Sequence, residues 1–600
     1  MKSGNRVKDG NYDDVRSRVF ARARGEKRPP AGGLIRACRE HSRPHAREKW
    51  HADRNPVYLL LLLLFYLPVL SLLVKVFFGA GFWQELTGFL RSKLFWNTLS
   101  FSCRQALYSA GFSLLLALPG AYFFGRFAFP GKRLLRSAMV LPFMLPGILV
   151  VLGMVVFYGN NGVLNHWLTL LFPDRGWRFT GLYGFWGIIL AHVFYNFTFC
   201  LRLTGEAWER INPTLHEASA LLGAGPFYTW RRITLPLMAP TLLYLFLLVF
   251  LYSFFSFTVV LVLGGYLYKT FEVLIYIEYS SRLRFARAAL IAIVQLLLLA
   301  GLLYLQALSG RRRRREGLFA GTLPALKFRD YPGRTILFLF YLVFTGFFFF
   351  SPLAAVVARS FFSRGLSGGL PVLENYRLLL TDGFRFAVGR SFLSVITTST
   401  GLAVTVSVVA VSLAYYLARL RRDRPWGKAD LWLQLPLGVS FVTFSSGLFM
   451  LAGKVLPSVV LILWAQLFLA FPLIYSMLRT ARRELGEPLL EAAALLGATP
   501  ARILQTVELP LMRPALSTAA AYAAAFSLGD LAAVLMLGRG RVVTLSVAIY
   551  RLIGHYRFPQ AIALGTIFIL ISLLLFLLME GRSRPRLQDI FPRPEEAEEE

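Results

Sequence analysis

The sequence predicts an all-α, polytopic membrane protein with about twelve transmembrane helices in two homologous six-helix halves. Long apolar runs and an internal repeat are the two observations behind this prediction. The chain is 56% hydrophobic, whereas soluble domains average roughly 45–50%. A bilayer core about 30 Å thick needs about 20 apolar residues in a helix. A water-soluble protein would have to bury many such runs that lack a polar face.

Twelve apolar segments are long enough to span the bilayer. They cover residues 57–79, 97–125, 138–158, 182–203, 238–264, 287–308, 335–360, 390–418, 431–453, 457–478, 513–537 and 561–580. These segments divide the chain into a basic tail (1–55), a first half (56–310), a basic linker (311–334), a second half (335–582) and a short tail (583–600).

The chain is strongly basic, and apolar runs separate its basic residues. The net charge is +33, yet the Lys and Arg residues lie in short segments between spans. This pattern is typical of topology signals and not of a nucleic-acid surface. Basic segments follow spans two, six and eight, on the same side as the basic tail. The positive-inside rule therefore predicts that both termini are cytoplasmic.

The N-terminal tail lacks the apolar stretch of a cleavable signal peptide. It holds fifteen Lys or Arg and seven Asp or Glu. It is either a disordered cytoplasmic extension that touches anionic membrane lipid or partly the product of a start codon assigned too early. The basic linker, with five consecutive arginines from Arg311 to Arg315, is expected to stay in solvent at the lipid surface.

A 24-residue segment occurs twice in the chain. EASALLGAGPFYTWRRITLPLMAP begins at Glu217, and EAAALLGATPARILQTVELPLMRP begins at Glu491, an offset of 274, with thirteen identical positions. The offset continues downstream, where Gly264 matches Gly538. Upstream, Leu141-Pro142 matches Leu435-Pro436 at an offset of 294. The first half therefore holds about twenty extra residues, which we place in segment 159–181.

Each repeated segment predicts a helix, a turn and a second short helix. In the first copy, small side chains before Gly223 let another surface approach closely, and the glycine permits a turn. Pro236 is expected to end regular hydrogen bonding where the next span begins. The second copy repeats this pattern with Gly497 and Pro510. Such a hairpin either docks against a partner or packs on its own bundle, and its duplication favours the partner.

The pattern E-A-A-x-x-x-G, followed nine residues later by I-x-L-P, resembles the signature loop of membrane subunits in binding-protein-dependent ABC importers. In that family the loop forms a coupling helix in a cleft of the ATPase. The first copy departs at Ser219 and the second at Val507. The resemblance implies ATPase-docking roles for Glu217, Ala218, Ala220, Gly223, Pro236, Glu491, Ala492, Ala493, Gly497 and Pro510.

The fused arrangement of two halves in one chain resembles thiamine and ferric-iron permeases. Segments 187–203, 256–265, 527–530 and 553–558 look closer to the thiamine type. The resemblance implies a bacterial inner-membrane location, two copies of a cytosolic ABC ATPase and an extracytoplasmic substrate-binding protein. It implies thiamine or a related cation as substrate, with ferric iron as the alternative.

No motif for chemistry in this chain is evident. A Walker A motif needs Gly-Lys before Ser or Thr, but Lys454 precedes Val455 and Lys428 precedes Ala429. The sequence also offers no catalytic or metal-ligand cluster. We therefore expect a transporter that is not an enzyme, with no cofactor or metal of its own and with ATP used by a partner subunit.

Asp530 is the most interesting ionisable residue in the predicted spans and the only clear candidate for a buried proton or sodium site. A carboxylate there is costly unless it is paired or faces water. It either lines the substrate path and meets a cation or forms hydrogen bonds at a helix kink near Gly529. A secondary transporter driven by an ion gradient would predict several such buried acids or bases, which makes that class the less favoured alternative.

Overall fold

Helices form almost all of the computed structural model of this protein, which describes residues 55–78, 81–132, 135, 145–316, 326–362, 373–421, 427–485 and 487–580. Ten helices within these ranges are long and apolar enough to cross a membrane. The prediction of an all-α polytopic membrane protein is confirmed. The predicted tail segments 1–54 and 583–600 lie outside the described residues.

The first half contains twelve helices in its described residues. They are α1 (Pro56–Phe77), α2 (Phe82–Arg91), α3 (Lys93–Arg126), α4 (Gly147–Tyr158), α5 (Val163–Leu171), α6 (Phe185–Glu209), α7 (Pro213–Leu221), α8 (Pro226–Thr229), α9 (Leu235–Phe254), α10 (Thr258–Leu263), α11 (Phe271–Tyr276) and α12 (Phe285–Glu316). One π-helical turn (Trp230–Thr234) joins α8 to α9, and another (Ile277–Ser281) follows α11.

The second half contains thirteen helices in its described residues. They are α13 (Pro332–Phe361), α14 (Glu374–Arg377), α15 (Asp382–Val388), α16 (Phe392–Leu420), α17 (Lys428–Gln434), α18 (Phe441–Ala452), α19 (Ser458–Glu484), α20 (Glu487–Leu495), α21 (Pro500–Ile503), α22 (Leu509–Gly529), α23 (Ala532–Leu537), α24 (Leu545–Gly554) and α25 (Phe558–Glu580). A π-helical turn (Leu504–Glu508) joins α21 to α22.

Two of the twelve predicted spans differ from the ten long apolar helices. Segment 431–453 is broken, because a 3₁₀ turn at Leu435–Gly438 interrupts the chain and Ser440 then caps α18 by accepting from the Thr443 amide. Pro436 lies in the interrupted part and cannot donate a helical hydrogen bond. Segment 513–537 is also broken, since it covers most of α22 and all of α23. Helix α22 has 21 residues, enough to cross, but it is alanine-rich and less apolar than the ten.

Small residues set the packing of the first half. The longest helix, α3, lies along α6 and buries alanines and glycines against it. A Cβ added at Gly125 would lie 2.6 Å from the Cβ of Trp208. Close backbone approach at small residues is a common way for membrane helices to associate, because lipid provides no hydrophobic driving force between them.

The helix bounds repeat with the offsets that the sequence predicts. Helices α7, α8 and α10 recur as α20, α21 and α23, with both ends displaced by the offset of 274. Helix α4 recurs as α18 at an offset of 294. The difference lies between α4 and α6, where α5 and a 3₁₀ turn (Pro173–Arg175) occupy the predicted insert.

The segment between the halves is partly ordered against the first half. Helix α12 continues through the arginine run to Glu316, so the predicted linker 311–334 begins as helix. A two-residue parallel pair then joins β1 (Phe127–Ala128) to β2 (Leu326–Lys327). The ring of Phe328 stacks on Phe127 with centroids 4.4 Å apart. The described residues from Leu60 onward form one compact unit.

Candidate functional site

The first hairpin, residues 213–229, connects α6 to the π-helical turn before α9. Asn212 begins it by accepting a hydrogen bond from the Thr214 amide at 3.1 Å, and Pro213 follows as the first helical residue. After α7 the backbone turns at Gly223, where φ is 75°. The Ala224 amide donates to the Ser219 carbonyl at 3.0 Å, which closes the helix end. The sequence prediction of helix, glycine turn and helix agrees with this geometry.

The second hairpin, residues 487–503, has the same path. Helix α20 ends at a turn in which Gly497 has a φ of 82°, and the Ala498 amide donates to the Ala493 carbonyl at 3.1 Å. Thr499 then caps α21 by accepting from the Arg502 amide at 3.4 Å. Positive φ is available to glycine without a Cβ penalty, so both hairpins depend on glycine at the same place.

The two hairpins differ on their inner side. In the first, the buried hydroxyls of Ser219 and Thr229 lie 2.9 Å apart and join α7 to α8. In the second, Ala493 and Ile503 occupy the matching positions of the repeat. The second pair has no hydroxyl, so a polar contact in one copy is replaced by apolar side chains in the other.

Each hairpin exposes two consecutive leucines beside its glycine. Leu221 and Leu222 are 88% and 87% exposed, and Leu495 and Leu496 are 89% and 88% exposed. Exposed leucine pairs at matching places are the kind of apolar surface that a docking partner would cover. The sequence analysis did not single these leucines out, although they lie within the repeated segment.

The predicted site residues lie around these leucines. The structure exposes Glu217, Ala218, Ala220, Gly223 and Pro236 in the first copy, and Glu491, Ala492 and Gly497 in the second; Ala493 and Pro510 are half-buried. The small side chains therefore leave the surface open next to the leucines. Their docking role stays a prediction.

Regular α-helical hydrogen bonding is interrupted before Pro236 and Pro510, as expected, but the helix does not end there. Each proline is the second residue of a helix that continues without a break from a π-helical turn. The Leu235 amide donates to the Trp230 carbonyl and the Leu509 amide to the Leu504 carbonyl, five residues back. The wider π turn accommodates a ring that lacks an N–H, so the helix passes through.

A buried ion cluster lies at the base of the second hairpin. Arg482 Nε donates to Glu508 Oε1 at 2.7 Å, and both side chains are almost fully buried. The Tyr415 hydroxyl donates to the same oxygen at 2.7 Å, and Arg419 lies 3.8 Å from the other oxygen. Residues on α16 and α19 thus hold a carboxylate in the π turn that leads into α22.

The second half contains another buried ion cluster, centred on Asp430. Asp430 Oδ1 accepts from Arg479 at 2.8 Å and from the Tyr475 hydroxyl at 2.6 Å, and Arg421 lies 3.3 Å away. Asp430 Oδ2 accepts from the Gly427 amide at 3.0 Å. This network joins the start of α17 to α16 and α19. The sequence analysis used the basic residues here only as a topology signal and did not predict this network.

Asp530 lies in the break between α22 and α23 and not inside one continuous span. Its Oδ1 accepts from the Ala533 amide at 3.0 Å, and its Oδ2 accepts from Gln466 Nε2 at 3.1 Å. The Ser527 hydroxyl completes the group by donating to Gln466 Oε1 at 2.7 Å. These bonds match the helix-kink alternative of the sequence analysis, and the substrate-path role stays a prediction.

Two further buried acids lie where the sequence predicted an outside loop. Glu272, on α11, accepts from Gln295 Nε2 at 2.6 Å and lies beside Ser440 and the Val442 amide of the second half. Glu278 accepts from Arg282 at 2.6 Å. Residues 270–279 of this segment are therefore packed against the bundle, whereas Tyr266 and Leu267 before them are exposed. The alternation of charged and apolar residues there gave no signal that distinguishes a packed helix from a solvated loop.

Comparison with known proteins identifies what the chain resembles. Residues 117–315 match the family described as binding-protein-dependent transport system inner membrane component. This range contains α4 to α11 and the whole first hairpin. The family match by itself covers part of the chain.

Full-length relatives extend the resemblance to both halves. The chain is 29% identical to the thiamine transport system permease protein ThiP of Brucella abortus (strain 2308), over 82% of this chain and 88% of the relative. It is 27% identical to the Escherichia coli (strain K12) protein of that name, over 81% and 88%. It is 26% identical to the Haemophilus influenzae protein of that name, over 89% of this chain and 96% of the relative.

Proposed function

We propose that this chain, which resembles the permeases of binding-protein-dependent ABC importers, forms the whole substrate path of such an importer and receives its energy through the two hairpins. The observation behind the proposal is the doubled hairpin. Two short helices and a left-handed glycine recur at one offset in both halves, and each copy exposes a pair of leucines. A multi-pass membrane protein with duplicated docking surfaces fits a partner that binds twice.

Two copies of one cytosolic ABC ATPase are the proposed partner. The hairpins have matching helix bounds and the same exposed apolar residues, so one partner surface can fit both. The chain has no Walker A sequence at its Gly-Lys pairs. ATP hydrolysis therefore belongs to the partner, and the permease itself is not an enzyme.

The proposed orientation places both hairpins and both termini in the cytoplasm of a bacterium. Each hairpin lies at the same ends of the helices as the basic segments, for example Arg126 at the end of α3 and Arg419 near the end of α16. Cytoplasmic loops carry an excess of Lys and Arg. The same orientation leaves the α5 insert on the outside, where a substrate-binding protein would deliver substrate.

Thiamine, or a related cation, is the proposed substrate. The three relatives described above are each named as thiamine transport permeases. None of these three names mentions ferric iron. A carboxylate at Asp530 suits a cation if the break between α22 and α23 opens to the path during transport, as the sequence hypothesis requires.

Reconstitution in liposomes tests the proposal. Permease, ATPase subunit and binding protein are combined, and uptake of labelled thiamine is followed with ATP inside. We expect uptake that needs ATP, the ATPase and the binding protein together. Uptake driven by a proton or sodium gradient without the ATPase would overturn it in favour of a secondary transporter. ATP-driven uptake of ferric iron but not thiamine would replace only the substrate.

A further inference from the structure

The base of the second hairpin is closed by an ion pair between its two flanking segments. Arg482 lies in the last turn of α19, just before the hairpin, and Glu508 lies in the π turn just after it. Their 2.7 Å contact therefore joins the chain on entry to the chain on exit. Tyr415 and Arg419 on α16 contact the same carboxylate and connect this base to a third helix.

The first hairpin has no charge at the matching places. Trp208 and Thr234 occupy the corresponding positions of the first copy, and both are buried. The Trp208 ring lies against Tyr122, with centroids 5.5 Å apart, and its Cβ packs on Gly125 of α3. An ion pair thus joins entry to exit at the second hairpin, whereas Trp208 of the first copy packs on α3. The adjacent Glu209 pairs with Lys132 at 2.9 Å, outside the first hairpin, although the two backbones are alike.

Buried charge has a particular physical consequence at this position. Desolvation offsets most of the attraction between two buried ions, so such a pair adds little net stability, but loss of one partner leaves an uncompensated charge. A pair of this kind restricts geometry because only one arrangement satisfies both ions. The carboxylate of Glu508 accepts from Arg482 and Tyr415 and faces a second cation, Arg419, which fixes the direction in which the hairpin leaves the bundle.

We propose that Glu508 is a positioning residue that fixes the second hairpin relative to α16 and α19, so that the two hairpins transmit the ATPase movement through different contacts. This inference rests on the proposed function, because it assigns a mechanical role to one of the two docking hairpins. Glu508 itself need not touch the ATPase, since it is buried beneath the hairpin.

Hydrogen–deuterium exchange on the purified full-length chain tests the positioning directly. In Glu508→Gln, we expect amide exchange in residues 487–503 to rise at least tenfold, while residues 213–229 stay within twofold of wild type. The first hairpin is the internal control. Thr234→Val is the matched control, because it alters the same position of the first copy without removing charge. A rise in both hairpins would indicate general destabilisation and would overturn the proposal, as would no change in either.

Coupled turnover provides the second measurement. With ATPase and binding protein present, Glu508→Gln should lower the kcat of substrate-stimulated ATP hydrolysis about tenfold and leave the KM for ATP unchanged. Glu508→Asp retains the charge and should recover most of the lost rate, whereas a residue that merely fills space would not depend on charge. Tyr415→Phe, which keeps the ion pair, should reduce kcat two- to threefold.

The outcomes separate this inference from the proposed function. If the wild-type chain fails to bind the ATPase, the proposed function is wrong. If the wild-type complex couples normally and Glu508→Gln couples equally well, only the positioning role is wrong. Retention of the ATPase during copurification confirms that the variant still assembles.

Discussion

Gly223 and Gly497 occupy the same place in the two copies of the repeat and share one backbone conformation, with φ values of 75° and 82°. No heavy atom lies within 4 Å of the place where a Cβ would be at either residue. Glycine is therefore required by the backbone angle and not by crowding. Each turn lies directly after an exposed leucine pair. Gly223 and Gly497, far apart in the sequence, therefore give the two hairpins the same surface.

Replacement of both glycines by valine should abolish copurification of the ATPase. A left-handed conformation costs an L-residue about 1–2 kcal/mol, and β-branching makes it worse. Since no neighbour is crowded, the strain changes the turn and not the bundle. Asn, which tolerates this region better, should retain more ATPase than Val.

Gly176→Val is the matched control for the glycine experiment. Gly176 also has a positive φ (58°) and open surroundings, but it precedes α6 whereas the first hairpin follows α6. It should leave ATPase binding intact. Equal loss of binding in this variant, or full binding in the double valine variant, would contradict a role for the hairpin turns.

Serine in place of Leu221, Leu222, Leu495 and Leu496 should weaken ATPase association at least tenfold without lowering the melting temperature. These side chains are almost fully exposed in the isolated chain, so their removal exposes no further apolar surface. Pull-down titration and thermal melting measure the two effects. Leu267→Ser, at another residue that is 87% exposed, provides the control. A fall in melting temperature with unchanged binding would show that the leucines pack within the chain.

Replacement of the Ser219–Thr229 hydroxyl pair by the apolar pair of the second hairpin should hardly change the melting temperature. Ser219→Ala alone removes one partner of a buried hydroxyl pair, and Thr229 then keeps its weaker contact to the Gly225 carbonyl. Ser219→Ala with Thr229→Ile reproduces the pair that the second hairpin already uses. Since removal of both polar partners leaves no buried hydroxyl unsatisfied, the double variant should melt at or above the single variant. A lower melting temperature for the double variant would contradict this interpretation.

Asp530→Asn distinguishes the role of Asp530 as a helix cap from the role of its negative charge. Asparagine can still accept from the Ala533 amide but lacks the oxygen that accepts from Gln466. We therefore expect a smaller fall in melting temperature than in Asp530→Ala, which should lose about 1 kcal/mol, as for other helix caps. The substrate-path hypothesis predicts at least tenfold slower thiamine uptake in Asp530→Asn. Normal uptake in that variant would leave capping as the role of the carboxylate.

Asp430→Ala should be among the most destabilising substitutions in the second half. It removes the carboxylate that Arg479 and Arg421 face in a buried site, and such a loss costs about 3–5 kcal/mol. Tyr475→Phe removes one hydrogen bond to Asp430 and keeps the charges, so its cost should be clearly smaller. Thermal melting of the purified chain measures both. Equal melting temperatures for wild type and Asp430→Ala would show that the network contributes nothing to stability.

Local pattern accounts for the parts that sequence analysis predicted. Apolar length determines a membrane helix, and the repeated segment from Glu217 and from Glu491 contains its own helix formers, glycine turn and caps. The bounds of α7 and α20 follow from residues within the hairpins themselves. The insert between α4 and α6 was likewise found from two offsets in one sequence.

Long-range contacts account for the parts that it did not predict. The membrane class, the duplication and the shape of both hairpins could be predicted, since each depends on residues that are neighbours along the chain. The contact of Glu508 with Arg482, the cap that Asp530 forms on α23, and the position of Glu272 beside the second half became visible only after folding. A charged residue in a sequence has no visible partner until folding brings one within hydrogen-bond distance, and burial then makes that partner obligatory.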